Sequence, residues 1–203
     1  EKHCQIMMHK TQREALAQSI EIARYALDNA DGMPIDVAFG VAAREDPNFL
    51  ADAASALTEE GIASIKMCDS RGELFPLEIH NLFKGVMEKV SSDVVIAAHF
   101  HNDSGLALAN TLEATRLGVR MLASSWLGLG ERVGLPATEQ ILFALAHDPE
   151  GMPSRMGISS PLWKTAPDLK KVTHIAQDVS KFLDILLKMT DPVISTSMNH
   201  VAT

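Results

Sequence analysis

A chain of 203 residues has room for one sizeable core, and 46% hydrophobic with 22% charged residues is the make-up of an ordinary globular protein. A formal charge of −8 without any Lys/Arg cluster argues against a nucleic-acid surface, and no apolar run is long enough to span a bilayer. The polar start Glu1-Lys2-His3 carries no expectation of a signal peptide. Cys4 and Cys68 fit no disulfide framework and no Cys-x-x-Cys pattern, so a reducing compartment, the cytoplasm, is expected.

The first predicted element is a helix. Thr11-Gln12-Arg13-Glu14 is a capping-box signature, and Leu16, Ile20, Ala23 and Leu27 follow at helical spacing before Gly32. Residues 34–39 read as a strand. Asp46-Pro47 then sets an N-cap and a first helical position for a helix running to about residue 60. A strand over 62–67 follows, with Cys68 at its end as a core-lining thiol. Pro76 opens a helix with Ile79, Leu82, Phe83, Val86 and Val90 on one face. The run 94–98 is a third strand, 105–118 a helix, 119–124 a fourth strand and 136–146 another helix. Beyond Asp148 the pattern changes. Residues 149–161 read as a Pro/Gly/Ser linker, and 167–189 as a long helix whose stripe is Leu169, Val172, Ile175, Ala176, Val179, Leu183 and Leu186. The division expected is therefore 1–148 and 149–203.

Short apolar strands alternating with helices imply parallel strands joined by right-handed crossovers. A doubly wound sheet and a (β/α)8 barrel both fit, but no Gly-x-Gly-x-x-Gly or Walker loop follows the first strand, which weakens the nucleotide-binding form. The chemically suggestive residues share one address, the carboxyl ends of strands: Arg44, then Asp69-Ser70-Arg71, then His99 and His101, then Glu131-Arg132. Four strands cannot close a barrel, and a complete one takes about 250 residues.

His99-Phe100-His101-Asn102-Asp103 lies between a predicted strand and a predicted helix. Side chains alternate along a strand, so the two imidazoles face the same way and form a natural pair of ligands for a divalent metal. Among eight histidines the spacing alone is weak; the strand-before, helix-after setting is what gives it weight.

This stretch, continued through Ser104-Gly105-Leu106-Ala107 and followed by Gly128-Leu129-Gly130-Glu131-Arg132-Val133-Gly134, resembles the condensing members of the HMG-CoA lyase-like metallo-TIM-barrel superfamily. These are 2-isopropylmalate, homocitrate and Re-type citrate synthases. Asp69-Ser70-Arg71-Gly72 is similar to the family's Asp-Thr-x-Gly loop. The resemblance implies a (β/α)8 TIM barrel, of which this chain supplies about four βα units and a C-terminal helical segment. It implies a Claisen-type condensation of an acyl-CoA, usually acetyl-CoA, with a 2-oxo acid on a divalent metal (Zn, Mn or Mg). His99 and His101 would be metal ligands and Ser70 would bind the substrate carboxylate. Glu131 would be a carboxylate that acts in catalysis or supports the metal ligands from behind, oriented by Arg132. Asn102 and Asp103 would position the histidines and cap the next helix, and His200 is a candidate acid/base. Arg44 and Arg71, both at strand ends, could grip a polyanionic substrate or be solvated loop arginines.

The departures matter equally. The family's opening Arg-Asp-Gly strand, whose aspartate binds metal, has no counterpart here, and the chain aligns with the second half of a barrel. Leu135 stands where the family carries a metal-binding asparagine, and Ala38-Phe39-Gly40-Val41 lacks the usual glutamate. An absent amino-terminal half, in a homo-oligomeric assembly, is therefore an expected partner. Two rival readings stay open. One is a lyase of the HMG-CoA or 4-hydroxy-2-oxo acid type, against which Gly-Leu-Gly-Glu-Arg replaces a Gly-Gly-Cys-Pro-like loop. The other is a catalytically inactive half-barrel or assembly module.

Overall fold

The computed structural model describes residues 9–188 and 190–194. The chain divides into two compact units, Glu1–Ala123 and Ser124–Thr203. Among the described residues no helix is long and apolar enough to cross a membrane.

The first unit repeats one pattern. Helix α1 (Gln12–Asn29) starts at a true capping box: the Thr11 side chain accepts the Glu14 amide, and Glu14 Oε2 accepts the Thr11 amide at 2.8 Å. Strand β1 (Asp36–Phe39) leads through a 3-10 turn (Ala42–Arg44) to α2 (Pro47–Glu59), where Asp46 accepts the Asn48 amide at 2.9 Å. Then come β2 (Ser64–Asp69), α3 (Pro76–Lys89), β3 (Val95–Phe100), α4 (Ala107–Arg116) and β4 (Met121–Leu122).

The strands pair in parallel in the order β1-β2-β3-β4. Alternation divides their side chains between two faces. Ile65, Met67, Ile96, Ala98 and Phe100 are buried in a core with Leu50, Leu57, Ile79, Phe83 and Val86 from the covering helices. The opposite face carries Asp36 and Ala38 on β1, Ser64, Lys66 and Cys68 on β2, and Ala97 and His99 on β3, set side by side by the register. On that face Asp36 accepts bonds from Ser64 Oγ and Lys66 Nζ, both at 2.6 Å.

Cys68 is a buried thiol, and burial pushes its pKa from 9.0 to about 11, with the nearby Lys66 charge opposing that rise. An unfolded chain ionises such a thiol first, so the protonated thiol stabilises the fold fully below pH 9 and that contribution fades between pH 9 and 11. A rise of that size is worth at most about 2–3 kcal/mol. Urea titrations at pH 8.5 and 10.5 are expected to show a shallower alkaline loss of stability for Cys68→Ala than for the parent. Equal losses in both would remove Cys68 as the cause.

The second unit holds α5 (Thr138–Ala146), α6 (Met152–Arg155) and α7 (Leu169–Phe182), and Phe143 of α5 and Ala176 of α7 share a small core with Val193, Ile194, Trp126, Leu127 and Leu187. Three expectations are corrected here and in β4. The fourth strand is only two residues long, although the Ala123 amide still reaches Ala98 O at 2.8 Å. The linker over 149–161 contains the short helix α6. The last helix stops at Phe182 rather than 189, because Asp184 turns left-handed (φ 54°) and the Ile185 amide folds back onto Ser180 O at 2.9 Å. That closure leaves Leu183 and Leu186 outside the helical stripe and exposed, Leu186 at 91%.

Candidate metal centre and its flanking loops

β3 aims two imidazoles at one point. His99 is half-buried on the strand and His101, just past its end, is buried. Their Nε2 atoms lie 3.1 Å apart and the rings meet edge-to-face at 65°. Burial holds the His99 pKa below its usual value, and the charges of His101 and Lys66 act the same way. A neutral imidazole is the form that binds a cation. Two nitrogens separated by 3.1 Å can both stand at about 2.1 Å from one metal ion, the usual metal–imidazole distance. The second nitrogen of His101, Nδ1, is buried without a hydrogen-bond partner among the described residues. The donor set thus fits two ligands of one cation. Among the described residues no cluster of three or more His, Cys, Asp or Glu could hold a metal.

A buried knot of backbone fixes the pair from behind. Asp69 O accepts the amides of His101 (3.1 Å) and Gly72 (3.2 Å), and Gly72 O accepts the Ser104 amide at 3.0 Å. Asp69 Oδ2 accepts the Leu74 amide at 2.9 Å, and Asn110 Nδ2 donates to Leu74 O at 2.8 Å. Gly72, at φ 60°, lies so close to the next loop that a Cβ would stand 2.6 Å from the Asp103 amide nitrogen and 2.7 Å from His101 O. Asn102 Oδ1 accepts the Ala107 amide at 3.1 Å, at the first turn of α4.

Ser70 Oγ donates to Gly40 O, tying the β2–α3 loop to the end of β1. Arg44 grips Glu73 with both prongs, at 2.5 and 2.7 Å, while Arg71 stands 3.9 Å from the same carboxylate and is mostly exposed. The first unit therefore gathers His99 and His101 to one point, and Arg44 and Arg71 to Glu73.

The second unit carries Glu131 and Arg132 on a self-closing loop. Arg132 Nη1 stands 3.1 Å from Glu131 Oε1, and the Glu131 side chain is 75% exposed. The Thr138 amide reaches Ser125 O, the Leu135 amide reaches Gly128 O and the Gly134 amide reaches Glu131 O, at 2.9–3.1 Å. Leu135 offers no donor atom to a metal. His200 lies outside the described residues.

Sequence reasoning missed three features: the Asp69–Leu74–Asn110 knot, the Asp36–Lys66 pair and Glu139. The second had a legible trace, since Asp36, Ser64 and Lys66 occupy alternate positions of short strands. Glu139 had none, because an acid in the first turn of a helix normally faces solvent.

Comparison with known proteins adds independent findings. A family model described as HMGL-like matches residues 1–179. The 2-isopropylmalate synthase of Thermosynechococcus vestitus is 36% identical over 148 residues, covering 70% of this chain and 27% of that protein. The 2-isopropylmalate synthase of Campylobacter fetus is 33% identical over 145 residues, covering 70% of this chain and 28% of that protein. The chain thus spans little more than a quarter of the length of the curated relatives it matches. The crystal structure of hydroxymethylglutaryl-CoA lyase from Pseudomonas aeruginosa superposes with a TM-score of 0.66 at 19% identity, covering 99% of this chain and 64% of that one. At that identity the likeness concerns architecture: the parallel βα units are part of a (β/α)8 barrel.

Proposed function

Because this chain belongs to the HMGL-like family, we propose that it supplies the carboxyl-terminal half-barrel of a metal-dependent synthase condensing an acyl-CoA, in the first instance acetyl-CoA, with a 2-oxo acid. One observation carries the reading: the His99 and His101 Nε2 atoms converge to 3.1 Å at the carboxyl end of a parallel strand. The naming of its relatives as 2-isopropylmalate synthases supports condensation over cleavage.

His99 and His101 hold a divalent cation (Zn, Mn or Mg), which when bound supplies Lewis-acid polarisation of the keto group. The remaining work falls to the chain. Ser70 turns its hydroxyl from Gly40 O to the carboxylate of the 2-oxo acid. Arg44 and Arg71, grouped about Glu73, draw polyanionic substrate to the mouth. Glu131 takes the proton from the carbon alpha to the thioester, and Arg132 at 3.1 Å orients that carboxylate. A carbon–carbon bond forms to the keto carbon, the keto oxygen receives a proton, with His200 as candidate donor, and water cleaves the thioester to release the CoA thiol. Asn102 and Asp103 hold the turn between the histidines and α4.

Two histidines are fewer ligands than protein metal sites usually provide, and Leu135 adds none. The other half of the barrel is therefore the proposed source of further donors, with residues 1–148 belonging to the barrel and 149–203 to a post-barrel segment. A cytoplasmic homo-oligomer is proposed as the working assembly. The test uses the protein as its complete gene encodes it. Acetyl-CoA plus a panel of 2-oxo acids is expected to release free thiol in proportion to bound metal, and thiol release independent of any 2-oxo acid would sink the condensation reading.

A further inference from the structure

Glu139 is a carboxylate in the first turn of α5, 1% exposed, and no step assigned above uses it. Its Oε2 accepts the amide of Leu127 at 3.1 Å. Burial raises its pKa, the amides of Glu139 itself and of Leu127 pull it back, and the Asp191 charge adds to the rise. A buried acid is retained at such a cost when its acceptor atoms are needed.

What it holds is the root of the loop that bears Glu131. Leu127 is left-handed (φ 60°), a conformation that a branched residue with a Cβ disfavours. This turn carries its amide to the Glu139 carboxylate while Leu127 and Trp126 pack against Ala176, Val193 and Ile194. Gly128 follows, also left-handed at φ 66°, and its carbonyl accepts the Leu135 amide at 3.1 Å. Gly134 sits against that carbonyl so closely that a Cβ there would overlap it at 1.8 Å. Ser124 and Thr138 join the two ends of the loop through their hydroxyls at 2.8 Å. The tip, with Glu131 and Arg132, thus hangs from the Gly128–Leu135 backbone seam and the Ser124–Thr138 hydroxyl pair, and the carboxylate of Glu139 adds a buried side-chain hold on Leu127.

We infer that Glu139 is a positioning residue: its buried carboxylate fixes Leu127 in the left-handed turn and thereby places Glu131 for proton transfer. The inference rests on the condensation reading for the role of Glu131. The anchor itself stands on the hydrogen bond and the burial alone.

The experiment compares Glu139→Leu and Glu139→Gln with the parent, in the protein encoded by the complete gene, by amide exchange mass spectrometry, steady-state kinetics and metal analysis. Leucine removes the acceptor and keeps the bulk; glutamine keeps an acceptor oxygen. In Glu139→Leu, exchange over 126–131 is expected to rise ~100-fold, with the last turns of α5 unchanged. Its kcat is expected to fall ~100-fold, as for a reacting group displaced by about an ångström, with KM and bound metal retained. Glu139→Gln is expected to restore loop protection and to bring kcat within ~10-fold of the parent. Unchanged loop exchange in Glu139→Leu, faster exchange spread evenly over 124–194, or a glutamine variant as impaired as the leucine one would overturn the inference. A parent without condensing turnover would instead overturn the proposed reaction, and the exchange data would still decide whether Glu139 anchors the loop.

Discussion

Alanine at His101 is expected to strip the protein of its metal and of turnover together. The two Nε2 atoms stand 3.1 Å apart, His99 carried by β3 and His101 by a backbone whose amide is bonded to Asp69 O. Losing one of the two proposed ligands costs more than losing a group that merely orients a ligand, and such outer groups are already worth ~10–100-fold in affinity or activity. Metal affinity should therefore fall by at least ~100-fold, with kcat following it. The comparison is made by elemental analysis after gel filtration, with the urea midpoint measured alongside to show that the fold persists. Metal retained at full stoichiometry by the alanine variant, or no metal in the parent, would place the cation elsewhere or nowhere.

Gly72→Ala is expected to be nearly as damaging while touching neither imidazole. A Cβ at position 72 meets the Asp103 amide at 2.6 Å, His101 O at 2.7 Å and Asp103 Oδ2 at 2.8 Å, and two of those atoms are backbone. Loops 69–75 and 101–106 must part to admit it. The His101 amide is bonded to Asp69 O at the same seam, so His101 moves with its loop. A loss of about 2–4 kcal/mol in unfolding free energy is expected, the range for overpacking on a strained backbone. Gly105 provides the control. It is left-handed too (φ 72°), yet nothing lies within 4 Å of its would-be Cβ, so Gly105→Ala should cost only about 1 kcal/mol. Equal costs in urea denaturation, with metal retained in both, would show that the close approach at Gly72 is without consequence.

Local chemistry made much of the first unit readable. Thr11 with Glu14, and Asp46 with Pro47, are complete instructions for starting a helix, and both helices start there. Period-2 alternation alone puts His99 and His101 on one side, and the pairing of His99 with Cys68 and the bond from the His101 amide to Asp69 O keep the backbone in line. The chain's likeness to a known family, carried by the His99–Ala107 and Gly128–Gly134 motifs, agrees with the family model that matches residues 1–179. Length was less legible. Leu183 and Leu186 continue a helical stripe that the backbone abandons, since a single left-handed residue, Asp184, overrides periodicity. β4 ends after Leu122 although 119–124 reads as a strand, because a strand's extent is set by its neighbour's register and not by its own composition. Glu139 and the Asp69–Asn110 knot were invisible for a related reason. Their partners are backbone groups, which every residue possesses, so no residue type advertises the contact.

The thiol at position 68 makes the sheet its own reporter. Ionising only near pH 11, it presents about one thiolate per thousand molecules at pH 8, and its cover of strand neighbours keeps alkylating reagents from even that fraction. Labelling at this site must wait for the cover over Cys68 to open, so the rate of modification is a clock for local breathing of the sheet. Any polypeptide that seats itself along the edge of β1 should slow that clock, and the slowing measures how firmly it is seated.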